Sequence, residues 1–182
     1  MTANTVDTEL VAGTWTLDAA HSTVGFTVRH LMSKVRGSFS EVTGEIVTTG
    51  DPAQSTVRVS IPTASITTNN SQRDAHLRSS DFFDATAGQQ LVFVSSGITE
   101  RDGGHVISGD LSINGVTRPV ELQAEFLGVA VDAYGSTRLG AEATTSISRK
   151  DFGVDFNIPL EGGKLLIGDK VDISLEIQAV LS

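Results

Sequence analysis

The sequence predicts an all-β domain of about eight antiparallel strands, and three observations carry that expectation. Apolar residues return at every second position through most of the chain, the repeat of half-buried strands. Residues suited to hairpin turns fall mostly between these runs. One stretch, residues 71–80, carries a helix signal instead. A sheet with one apolar face per strand removes its edges by closing into a barrel or by stacking as a sandwich.

The strands follow in order. Thr14 to Leu17 reads as an opening strand, and Val24, Phe26 and Val28 alternate with Thr23, Gly25, Thr27 and Arg29. Val35, Gly37 and Phe39 are followed by Val42, Gly44 and Ile46 in the opposite phase, which predicts one long strand with a bend or bulge. Val57, Val59 and Ile61 form the next. Ser71-x-x-Asp74 resembles a capping box and opens a short helix expected over 71–80, ending near Phe82 and Phe83. Leu91 to Val94 and Ile107 to Ile113 follow. Asn114-Gly115 is then the strongest hairpin signal in the chain, returning into Val120, Leu122, Ala124 and Phe126. Leu139 to Ile147 and Val171 to Leu181 complete the set, with a helical turn expected around Arg149 to Phe152.

Composition narrows the function. The 182 residues carry a formal charge of −9, which repels a phosphate backbone and argues against general nucleic-acid binding. With no cysteine there is no disulfide and no thiolate chemistry, a composition compatible with the cytoplasm, where the protein is expected to reside. No run approaches the roughly 18 apolar residues of a membrane-spanning helix. Residues 1–12 read as a flexible leader and 13–182 as one domain. One local exception to the acidity stands out: Ala19 to Ser40 contains no acidic residue but holds Arg29, Lys34 and Arg36 with His21 and His30. By itself it reads as a solvated basic face.

Catalytic and metal signals are weak. Asp18, His21 and Ser22 have the residue types of a nucleophilic triad, yet Asp18 and Ser22 equally suit a cap leading into the strand. His21, His30 and His76 match no established metal-ligand spacing, leaving a metal-assisted hydrolase as a minor alternative. His30 continues the inward face of Val24, Phe26 and Val28, where a lone histidine is most often a satisfied buried group. Arg73, Asp74, His76 and Arg78 read as a solvated helix face with an Asp74/Arg78 pair. Slender inward residues and Gly37, Gly44 and Gly109 favour a hollow barrel, although glycines also bend strands at corners. Periodicity alone leaves a filled interaction module open.

Six segments in order resemble the YceI-like family of lipocalin-like, polyisoprenoid-binding proteins. They are Trp15–Ser22 (WTLDAAHS), Phe26–His30 (FTVRH), Val35–Phe39 (VRGSF), Arg73–Asp84 (RDAHLRSSDFFD), Gly109–Val120 (GDLSINGVTRPV) and Arg149–Gly153 (RKDFG). The segment at Arg73 is the most diagnostic. Where the family usually has Tyr-Pro, this chain has Ala87-Gly88-Gln89-Gln90. The resemblance implies an extended eight-stranded antiparallel lipocalin-like barrel that takes up a long isoprenoid or similar amphiphile, allows for homodimers and has no established catalysis. The expectation is therefore a carrier or store of a polyisoprenoid, quinone or fatty-acid-like lipid, with no cofactor, and not an enzyme. The expected lining is Val24, Phe26, Val28, His30, Phe39, Ile61, Leu77, Phe82, Phe83, Phe93, Leu111, Ile113, Phe126 and Phe152. Arg29, Arg36, Arg73, His76 and Arg118 join His30 as candidate head-group donors.

Overall fold

The computed structural model describes residues 10–85 and 88–182. Residues 1–9 of the expected leader and Ala87 of the divergent turn lie outside them. Eleven strands form one sheet: β1 Gly13–Leu17, β2 Thr23–His30, β3 Ser33–Phe39, β4 Thr43–Thr48, β5 Thr56–Pro62, β6 Ile66–Thr67, β7 Gln90–Arg101, β8 Gly104–Ile113, β9 Val116–Val131, β10 Thr137–Ser148 and β11 Ile167–Leu181. Among the described residues one α-helix, α1, spans Ser71–Leu77.

The extra strands are halves of longer ones. β1 and β2 lie on the same edge of β11, with Trp15 opposite Leu181 and Val24 opposite Leu175. β4 and β3 continue each other alongside them, Ile46 facing Trp15 and Phe39 facing Val24. β5 and β6 do the same against β4 and β3. The chain thus makes eight long antiparallel runs, and pairing of β1 with β11 closes them into a barrel. The first three runs break at one level, through the turn Ala19–His21, residues 40–42 and the turn Thr63–Ser65. The phase change after Phe39 is the second of these breaks.

Turn chemistry fixes the hairpins. Asn114 and Gly115 both hold positive φ (51° and 76°), as a two-residue loop requires, and Asp102-Gly103 does likewise at 52° and 79°. The helix is shorter than expected. Its cap is Asn70, whose side chain accepts from the Arg73 N–H, and the chain leaves the helix at Arg78. Asp74 faces inward, so the solvated Asp74/Arg78 pair gives way to a clamp. Its carboxylate accepts from the Thr68 N–H and hydroxyl, while Arg73 donates to the Thr68 hydroxyl and carbonyl. Burial pushes the Asp74 carboxyl up, but the Thr68 donors and the Arg78 and Arg73 charges outweigh it and hold it below its ordinary value.

One end of the barrel is filled. Trp15 is wholly buried with Val129, Leu139 and Ala179, and its indole N–H donates to Thr48 Oγ1 at 2.8 Å. Leu10 packs on this cluster and the Val11 carbonyl accepts from Thr48, so residues 10–11 lie against the barrel. Beside it, Arg138 bridges Asp132 and Asp18 at 2.7 and 2.6 Å. Hydrogen bonds from Arg138 and His21 hold the Asp18 carboxyl down at about 2. Ser22 Oγ donates to the Gln178 carbonyl. Asp18 caps the Ala19–His21 turn, and Ser22 is committed to the β11 backbone instead of to His21. The capping reading of this segment holds, and the triad does not form.

Candidate ligand-binding cavity

From the packed Trp15 end an apolar cavity of about 430 Å³ runs up the barrel. On β11 its lining includes Ile167, Val171, Ile173, Leu175 and Ile177. That stretch spans roughly 30 Å along the strand, or on the order of 25 Å along a barrel axis inclined by about 40°. The space is a slot, and its polar groups gather toward one end. A filled core, the other outcome periodicity allowed, is not what the sequence builds.

Of the expected lining residues, Val24, Phe26, Val28, His30, Phe39, Ile61, Leu77, Phe82, Phe83, Phe93, Leu111, Ile113 and Phe152 face the cavity. Phe126 does not. It points inward as parity requires, but at a depth where it packs with Ala141 on the Trp15 cluster. The glycines act differently from the expectation. A Cβ on Gly37 would lie 2.3 Å from the Phe26 ring, and one on Gly109 2.5 Å from the Phe93 ring. The room those two glycines free is taken by an aromatic ring laid against the wall, whereas a Cβ on Gly44 would strike the Arg58 carbonyl at 2.5 Å.

The open end is roofed by α1 and by the connection between β10 and β11. His76 packs edge-on to Phe82 and Phe156, with ring centroids 5.1 and 5.0 Å away, and its Nε2 lies 2.8 Å from Asp81. Phe39 meets Phe83 at 6.1 Å. The connection, residues 154–166, contributes Val154, Phe156, Ile158 and Leu166 to the lining. Arg149 fastens it. This buried arginine donates to the carbonyls of Val154 and Phe156 on one side of the strap and of Ile167 and Gly168 on the other. Burial pulls its guanidinium below its ordinary value, against the charges of Asp169 and Asp155. Sequence reading missed both features, though the signals were present. Arg149 continues the inward series Ala143, Thr145, Ile147, and Val154, Phe156 and Ile158 alternate.

The candidate head-group donors divide by position. Arg29 and Arg36 are exposed on the outer face, because they alternate with the lining residues Val28, His30 and Val35. Arg118 is exposed and donates to the Asp151 carbonyl outside the cavity. Arg73 and His76 border the cavity but are engaged by Thr68 and Asp81. His30 also borders it, and its ring makes no hydrogen bond among the described residues, so it is not the satisfied buried group expected. His21 stays with Asp18, away from the cavity. The three histidines do not converge, and no cluster of three metal-ligating side chains occurs among the described residues.

The family model of the YceI-like domain matches residues 15–179. The chain belongs to the YceI-like family. Protein YceI of Shigella flexneri is 37% identical over 166 residues, covering 90% of this chain and 83% of that one. Two solved structures share the fold. BcnA of Burkholderia cenocepacia has a TM-score of 0.75 at 21% identity, covering 89% of this chain and 98% of its own. A polyisoprenoid binding domain from Saccharophagus degradans has a TM-score of 0.67 at 16% identity, covering 94% and 100%. No helix among the described residues is long and apolar enough to cross a membrane.

Proposed function

We propose that this barrel binds a polyisoprenoid or similarly long apolar chain along its interior and carries or stores it, as a binding protein and not an enzyme. The observation that carries the reading is the slot itself: long, apolar along its length and closed at the Trp15 end. Each methylene-sized group moved from water into it gains roughly 0.8 kcal/mol. A long tail therefore binds without many directional contacts, and a slot of this length selects chains over compact solutes. His30, which borders the cavity and makes no hydrogen bond among the described residues, is the residue offered to a polar head group at the open end. Family membership and the fold shared with a polyisoprenoid binding domain support the same ligand class.

Organic extraction of the native protein followed by mass spectrometry tests this. Repeated preparations are expected to carry a stoichiometric long-chain lipid. Preparations without lipid, combined with added prenyl chains that neither bind nor raise the melting temperature, would overturn the reading.

A further inference from the structure

Three two-residue loops close hairpins in this barrel, and one is made of the wrong residues. Asp102-Gly103 and Asn114-Gly115 are the residue types that such loops demand. The β2–β3 loop is Leu31-Met32, between paired His30 and Ser33. Leu31 sits at φ 56°, a first loop position that asparagine, aspartate or glycine usually takes and where a bulky side chain is strained. Both side chains nevertheless point out, Leu31 52% and Met32 88% exposed. An unfavourable backbone position kept for an exposed apolar side chain points to a use for that side chain.

The surroundings say what it would meet. The Leu31 N–H donates to the Leu166 carbonyl, and the Leu166 N–H to the Ile158 carbonyl, so the loop lies beside the strap. Ile158 and Leu165 of the strap add exposed apolar surface, and Ile158 and Leu166 also line the cavity. The patch is thus continuous with the slot. Flanking it, Arg29, Lys34 and Arg36 are exposed in the acid-free stretch of a chain whose net charge is −9, with Lys164 on the strap. Asp155 and Glu161 are the strap's own exposed acids.

We infer that the Leu31-Met32 loop and the adjoining strap dock the open end of the barrel on an anionic lipid bilayer, the apolar tip entering the interface and the basic strands facing the head groups. A second copy of this chain fits less well, because a two-fold interface would set these same cations against each other. The inference rests on the lipid-binding reading, and it supplies a path: a chain leaving the bilayer passes Ile158 straight into the slot.

Flotation with vesicles tests it, using phosphatidylcholine alone and phosphatidylcholine with phosphatidylglycerol as the minority lipid. The full chain is expected to float with the anionic vesicles, less so as salt rises, and to stay free of the neutral ones. Met32→Asp should weaken this tenfold or more, and Lys34→Gln or Arg36→Gln roughly fivefold each. All three should bind a fluorescent prenyl probe in vesicle-free solution as well as the unaltered chain. Leu31→Asn suits the positive φ, so its loss of flotation at an undiminished melting temperature excludes misfolding as the cause. The inference falls if the chain ignores anionic vesicles, if Met32→Asp floats undiminished, or if sedimentation shows these variants abolishing self-association instead. Failure of the probe to enter the unaltered barrel is the separate result that defeats the lipid-binding reading.

Discussion

At one end of the barrel Trp15, Val129, Leu139 and Ala179 close the interior with interlocked side chains, whereas at the other a seven-residue helix and an irregular strap cover it. The closed end is held by strand pairing, since β1 bridges β4 and β11 and so completes the ring. The strap has one isolated bridge, Pro159 to Leu165, and is tied down by Arg149, by Asn157 hydrogen-bonded both ways to the Ile167 backbone, and by the Leu31 N–H on the Leu166 carbonyl. Global stability and access to the cavity are therefore assigned to different residues. A binding protein needs that separation, because a roof that carried the fold's stability could not move without unfolding it.

The two ends can be set against each other by substitution. Trp15→Ala is expected to have the largest effect, costing about 3–5 kcal/mol in urea unfolding and leaving the Thr48 hydroxyl without its indole donor. Arg149→Met should cost less globally, about 1–3 kcal/mol, since it strips charged donors from four buried or half-buried carbonyls. Its signature is regional: amide exchange should accelerate across residues 154–168 while β1 and the C-terminal part of β11 stay protected. Equal acceleration at both ends would dissolve the contrast.

Acid should weaken the closed end through Asp18. The Asp18 carboxyl is held at about 2, against roughly 3.9 for an unfolded chain, by Arg138 and His21. A depressed value means the stabilisation is fully present above the unfolded pKa and is lost as pH falls through the window between them. The full shift corresponds to about 2.6 kcal/mol, which solvent screening of this half-buried pair reduces to about 1–2 kcal/mol. Asp18→Asn should flatten stability between about pH 4 and 2, and an unchanged slope there would contradict the assignment. Smallest of all, Leu31→Asn should leave stability unchanged or raise it by up to about 1 kcal/mol, because asparagine tolerates the left-handed backbone. A lower melting temperature would show that the exposed leucine serves the fold.

How much of this the chain disclosed depends on which kind of signal was needed. Alternation is local, so the long strands were legible, as were thirteen of the fourteen residues expected in the lining and the phase change after Phe39. Parity gives the face of a strand and not its depth, which is why Phe126 was placed in the slot and belongs to the Trp15 cluster. Arg29 and Arg36 were offered as donors by charge although their alternation with Val28, His30 and Val35 already placed them outside. The Asp74 clamp was illegible because Thr68 lies outside the helix, and no helical spacing announces a partner there. The strap was hidden by having no regular structure, even though Val154, Phe156 and Ile158 keep the strand period.

Binding measured across a series of prenyl alcohols of increasing length, with the native barrel and with Ala143→Phe, tests most directly whether a chain lies along the interior. Ala143 is buried, lines the slot and pairs with Leu175 across the sheet. Affinity for the native barrel should rise roughly fourfold per buried methylene-sized group, about 0.8 kcal/mol each, until the chain outgrows the slot and the gain stops. The variant should fold and reach that plateau at a shorter chain. Affinity indifferent to length, or a plateau unmoved by the added ring, would contradict a chain lying along the interior of the barrel.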